Sequence, residues 1–279
     1  MPPIKERQMH RIHVGVVALS AVAVASASAG VVQFMASDGN KLFRADSTGN
    51  VDAPITLSAH IQSLTFVPGG FSIPGAGGGN IVACAADPVA GKWAVYRVDD
   101  PAGAATLVKI GETSFSVGSL AFGTDGMYGV DASASPIRVR KLSSTDFSIT
   151  QSWSTGVNVT GGGGLAFDRT NDRFLLTDYP NNRLMSWIPG NNATNIGAVG
   201  FGFLNNGLEF IQGDLYGALR PDSPNNTLRF GKFDTSTGAF TTLATATGIL
   251  GNGTGFVAIP APGALALAGL ALVAPRRRR

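Results

Sequence analysis

Short apolar runs, each closed by a polar turn, recur along the chain in one order. Gly163-Gly164-Leu165-Ala166-Phe167-Asp168 is followed by Arg173-Phe174-Leu175-Leu176-Thr177-Asp178. Ser119-Leu120-Ala121-Phe122 precedes Gly126-Met127-Tyr128-Gly129-Val130-Asp131, and Gly207-Leu208-Glu209-Phe210 precedes Gly213-Asp214-Leu215-Tyr216-Gly217. Ser63-Leu64-Thr65-Phe66 and Thr254-Gly255-Phe256 are looser copies. A small residue, an aliphatic one and a Phe suit a short strand, and the polar turn suits a hairpin. Self-similarity at roughly 40–50 residues predicts a β-propeller with one sheet per repeat, with the opening-strand rings of Phe122, Phe167 and Phe210 buried between adjacent blades.

In order, the first unit has strands at residues 31–35, 41–45 and 55–57, and no opening strand before them. Asp46-Ser47-Thr48-Gly49 is its turn. The second runs from residues 61–67 through 81–85, 93–99 and 106–110. Its Gly- and Pro-rich insert, residues 68–80, reads as a loop. The third, fourth and fifth units open at Leu120, Leu165 and Leu208 and each offers four strands. Residues 255–259 form an opening strand with no unit behind it. That strand and the incomplete first unit fit together, which predicts five four-stranded blades closed by the C-terminal strand. Six blades stay open if the long loops of the second unit hold further strands. A β-sandwich also shows short alternating strands.

Composition agrees with an all-β chain. Of 279 residues, 14% are charged and 37 are Gly, which favours tight turns over long solvated helices. The net charge of +3 is concentrated at the ends, in Lys5, Arg7, Arg11 and the terminal arginines. Without the end segments the body carries about −3, which gives no support for nucleic-acid binding. The single cysteine, Cys84, lies in an apolar strand and reads as a buried, inert thiol.

Residues 1–29 read as a secretory signal: a basic start, an apolar run over residues 14–25, and Ala27-Ser28-Ala29 before Gly30 as the new N-terminus. Residues 30–259 then form the propeller domain. Residues 260–279 change character: Pro260-Ala261-Pro262, an apolar stretch over residues 263–274, and Arg276, Arg277, Arg278 and Arg279. As a helix the apolar stretch spans roughly 18 Å, short of the ~30 Å hydrocarbon core. It suits a temporary tether held by the arginines on the cytoplasmic side; a retained C-terminal transmembrane helix is the alternative. This tail resembles the bacterial PEP-CTERM sorting signal, with Ala261 where that motif has Glu. The resemblance implies export, an exosortase-type membrane protease as partner, transient membrane contact, and delivery to the cell surface or extracellular matrix.

Candidate chemistry in the body is sparse. His60 is its one histidine, so no multi-His metal site is expected. Glu112 and Glu209 are its glutamates, and Glu209 sits in an opening strand that lines the channel, where a cation ligand or an acid is open to it and a solvated channel carboxylate is the preferred reading. Asp168-Arg169-Thr170-Asn171-Asp172 offers oxygens but lacks the spacing and distal Glu of an EF-hand loop, so a turn is expected. Asn158, Asn192, Asn225 and Asn252 begin glycosylation-type triplets and read as turn chemistry. No catalytic, cofactor or metal residue is assigned. The expectation is an exported binding or structural propeller whose partners are extracellular polysaccharide or another envelope protein. The alternative is a hydrolase or lyase acting on extracellular carbohydrate or lactone, by analogy of fold.

Overall fold

The computed structural model describes residues 31–86, 92–158, 163–224, 226–249 and 255–259. Each opening run pairs antiparallel with the run after it, and each repeat becomes one sheet. The first blade holds β1 (Gln33–Asp38), β2 (Lys41–Asp46) and β3 (Ile55–Thr56). The second holds β4 (Ile61–Phe66), then the hairpin β5 (Ser72–Ile73) and β6 (Ala76–Gly77), then β7 (Ile81–Ala86), β8 (Trp93–Asp99) and β9 (Thr106–Thr113). The third runs through β10 (Val117–Phe122), β11 (Met127–Asp131), β12 (Arg138–Leu142) and β13 (Ile149–Ser154). The fourth runs through β14 (Leu165–Asp168), β15 (Arg173–Asp178), β16 (Arg183–Trp187) and β17 (Thr194–Ala198), with a 3-10 turn at Tyr179–Asn181. The fifth holds β18 (Phe203–Ile211), β19 (Asp214–Pro221), β20 (Thr227–Phe233) and β21 (Phe240–Thr247), and β22 (Phe256–Ile259) follows.

Among the described residues, five sheets have four strands each, with the orders β22-β1-β2-β3, β4-β7-β8-β9, and sequential order in the other three, and β5–β6 form a separate two-stranded sheet. The chain is therefore a five-bladed β-propeller. It is closed as the sequence predicts: β22 pairs antiparallel with β1, Phe34 opposite Ala258 and Met35 opposite Val257. Two sequence expectations need correction. The first strand starts at Gln33 and runs on to Asp38, because the Gly39 turn (φ +63°) sets its register against β2. The insert at residues 68–80 is not simply loop. Pro74 and Gly75 (φ +71°) supply the central pair of a tight turn, and the β5–β6 hairpin buries Ile73 and Ala76.

The core is divided by the blades. Side chains alternate along each strand, so each sheet sends one set to the blade before it and another to the blade after. Five apolar clusters result, one at each blade junction. Leu165 and Phe167 of β14 pack toward the third blade, while Ala166 between them packs toward the fifth.

Innermost strands have a free hydrogen-bonding edge facing the axis, and buried backbone groups there need partners. Side chains supply them, from a neighbouring blade for Leu165 and Gly164 and from the same blade for Gly255. Ser119 Oγ accepts from the Leu165 N–H at 2.9 Å, Asn206 Oδ1 accepts from the Gly164 N–H, and Ser37 Oγ accepts from the Gly255 N–H at 2.9 Å. The strands converge so closely that a Cβ on Gly255 would lie 2.8 Å from the Leu64 nitrogen. Crowding of the axis explains the small residue that opens each repeat.

Candidate site at the channel mouth

Pairing register places Phe66, Phe122, Phe167, Phe210 and Ala258 at one equivalent position, near the end of each innermost strand. All five line a cavity of about 220 Å³ at that end of the channel. Phe122 and Phe167 are buried against the preceding blade. Phe210, expected to be buried likewise, is only half-buried, as is Phe66. Both still pack against apolar junctions, Phe66 with the first and second blades and Phe210 with the fourth and fifth.

One residue earlier, the equivalent positions hold Thr65, Ala121, Ala166, Glu209 and Val257. Glu209 alone is charged. Its carboxylate reaches across from the fifth blade to the second, where Oε2 accepts from the Phe66 N–H at 3.3 Å and from Thr65 Oγ1 at 3.4 Å. It thus satisfies the free edge of β4, as Ser119 does for β14. Burial pushes its pKa up to about 8 against the opposing pull of these hydrogen bonds and of Arg169. The sequence expectation of a solvated channel carboxylate needs correction in part: Glu209 is half-buried at the mouth, and the enclosed part of its carboxyl group is what raises its pKa.

Arg169 is the cation of the mouth. It leaves β14 at the turn held by Asp168, whose carboxylate accepts from the backbone of Thr170 and Asn171 and from the Asn171 and Arg173 side chains. The turn reading of Asp168 to Asp172 is correct. Arg169 is exposed and its guanidinium lies 5.8 Å from the centre of the Phe167 ring and 6.0 Å from that of Phe71. Phe71 comes from the insert between β4 and β7 and packs on Phe122 at 5.5 Å. With Arg169 beside Phe71 and Phe167, the mouth presents an aromatic wall and a positive charge on its rim.

The other residues singled out in the sequence lie apart. His60 is exposed just before β4. Cys84 is fully buried, and burial pushes its thiol up to about 12, which keeps it inert. Glu112 pairs on the surface with Lys109 and Lys92. Among the described residues, no three His, Cys, Asp or Glu side chains converge as a metal site. Nor is any helix among them long and apolar enough to cross a membrane. Ala27, Ala29 and Gly30, and Pro260, Ala261, Pro262 and Arg276 to Arg279, lie outside the described residues. Sequence reading missed Arg169 and the mouth itself. The signal was the Phe recurring at one place in four repeats, read only as core.

No protein-family model and no curated protein sequence matches the chain. Among solved structures, a luciferin-regenerating enzyme aligns with a TM-score of 0.43 and 12% identity over 75% of this chain and 69% of that one. A Pseudomonas aeruginosa periplasmic gluconolactonase, PpgL, aligns with a TM-score of 0.42 and 14% identity over 78% of this chain and 83% of that one. Both likenesses are of chain path alone.

Proposed function

We propose that this chain is an exported, envelope-associated binding propeller that takes an anionic group with an apolar face at its channel mouth. The observation that carries the reading is the mouth itself: four Phe rings from four blades around about 220 Å³, with Arg169 as the free-standing cation. Guanidinium forks suit carboxylates, and ring faces suit the C–H face of a sugar. A uronate-bearing extracellular polysaccharide meets both requirements. The basic leader and the Pro-apolar-Arg tail support export, with an exosortase-type protease releasing the chain from a transient tether.

Titration of the full chain with uronate-bearing oligosaccharides tests the binding. Arg169→Ala should weaken it by roughly tenfold or more, and Phe210→Ala should weaken it as well. Affinity unchanged in Arg169→Ala overturns the assignment of the mouth. Intact mass of protein recovered from its native host tests the export: the chain should start near Gly30 and lack the four terminal arginines. Full-length chain at the cell surface rejects the sorting reading.

A second reading, a hydrolase or lyase acting on extracellular carbohydrate or lactone, rests on Glu209, whose pKa burial raises in the direction a general acid needs. Glycoside hydrolysis asks for a second carboxylate opposite the first. Among the described residues lining the mouth, Glu209 is the one carboxylate. Product release from oligosaccharides or lactones, abolished in Glu209→Gln, would establish the enzyme and displace the binding role.

A further inference from the structure

A second concave site lies between the third and fourth blades, at the same end of the ring. Tyr128, Lys141 and Gln151 stand directly opposite one another on β11, β12 and β13, so they share one face of the third sheet. Trp153, two residues beyond Gln151, shares that face. The fourth blade supplies Phe174, Asp172 and the lip Ile188-Pro189, and the cavity between them measures about 220 Å³. Phe167 walls both this cleft and the channel mouth.

The aromatic groups form a graded platform. Tyr128 and Trp153 stack at 6.0 Å with 24° between their planes, and Tyr128 meets Phe174 at 4.7 Å. Tyr128 and Phe174 are buried and form the floor, whereas Trp153 is half-buried and presents ring to the cleft. Ile188 on the opposite lip is 49% exposed, one of few large apolar side chains so placed. Around this apolar floor stand polar groups: the exposed Asp125, Asp172, Thr124 and Gln151.

Charge narrows the ligand. Carboxylates beside aromatic rings would suit a cation, but Lys141 already neutralises one of the two, Asp125, and leaves only Asp172. The Lys141 ammonium lies 5.9 Å from the Tyr128 ring centre and pairs with Asp125 at 2.6 Å. The Tyr128 hydroxyl donates to the same carboxylate at 2.7 Å. An anion would meet Asp172, with Lys141 already engaged by Asp125. What remains is a neutral molecule with an apolar face and hydroxyls at its edge. We propose that the cleft between the third and fourth blades binds a neutral sugar residue, stacked against Trp153 and held at its edge by Gln151 and Asp172. Hydroxyls donate to the carboxylate, and the amide both donates and accepts.

The test is a titration of the full chain with neutral hexasaccharides of glucose, xylose and mannose, followed by tryptophan fluorescence and by calorimetry, with tetramethylammonium as the cationic control. Gln151 and Asp172 are exposed, so Gln151→Ala and Asp172→Asn should keep the fold while each weakens binding by roughly tenfold. Arg169→Ala should leave this binding unchanged, which separates the cleft from the mouth. Absence of binding by every hexasaccharide at about 1 mM overturns the proposal. So does binding that Arg169→Ala removes and Gln151→Ala spares, or tighter binding of tetramethylammonium than of any sugar.

Discussion

Ala258 holds in the first blade the place that Phe210 holds in the fifth. The exchange is compensated inside the junction between those blades. Phe34, the partner of Ala258 across the sheet, packs 5.3 Å from Tyr216 and 5.9 Å from Phe256, and Ile211 covers the same cluster. The fourth blade carries a ring on both strands of this pair, Phe167 and Phe174, whereas the first carries it on the second strand alone. Ala258→Phe should therefore overpack a filled junction and cost about 1–3 kcal/mol. A thermal midpoint equal to the parent's would show that the junction has room and that the compensation is not real.

Glu209 makes stability depend on pH. Its folded pKa, about 8, stands above the ordinary value of 4.5. Between those two values the folded chain keeps a proton that the unfolded chain has released. Stability is then fullest below the unfolded pKa and is lost as pH rises through the folded one. Glu209→Gln keeps an acceptor for the Phe66 N–H but does not titrate, so its melting temperature should fall less between about pH 5 and pH 8. Parallel profiles for variant and parent would place the carboxyl in water and undo the account of the mouth.

Phe167 is the ring that two cavities share. It is 7% exposed and packs on Phe174 at 4.8 Å, within the junction of the third and fourth blades. Phe167→Ala should cost about 3–5 kcal/mol, the range for truncation of a core aromatic. An unchanged denaturation midpoint would mean that the ring serves a ligand and not the core.

The repeat was legible because each blade must solve the same two problems. The innermost strand needs a small residue where the strands converge, hence Ser119, Gly164 and Gly255, and a large one where they splay toward the mouth, hence Phe122 and Phe167. Turn chemistry was legible for a local reason. Asp46 accepts from the Thr48 and Asn50 N–H groups, and Asp234 accepts from those of Ser236 and Thr237, all within four residues. The site was not legible because its contacts are remote in sequence. Glu209 meets Phe66 across 143 residues, and Arg169 reaches Phe71 from another blade. No spacing rule carries such information, and a Glu inside a strand gives no sign that a distant Phe and Thr will enclose it.

Closure of the ring yields the sharpest contrast between two truncations. Four residues of β22 oppose residues 33–36 of β1, and the Gly255 carbonyl accepts from the Ser37 N–H at 2.9 Å. Phe256 and Val257 are buried in two different junctions, with the fifth blade and with the second. Removing residues 255–259 would strip β1 of a partner, open a backbone edge inside the axis, and expose both junctions at once. Unfolding should then lose cooperativity or shift far below the parent's midpoint. Ending the chain after Pro260 removes the tail while keeping every strand of the first blade, and its midpoint should match the parent's. Equal destabilisation by the two truncations would mean that the tail, and not β22, holds the ring shut.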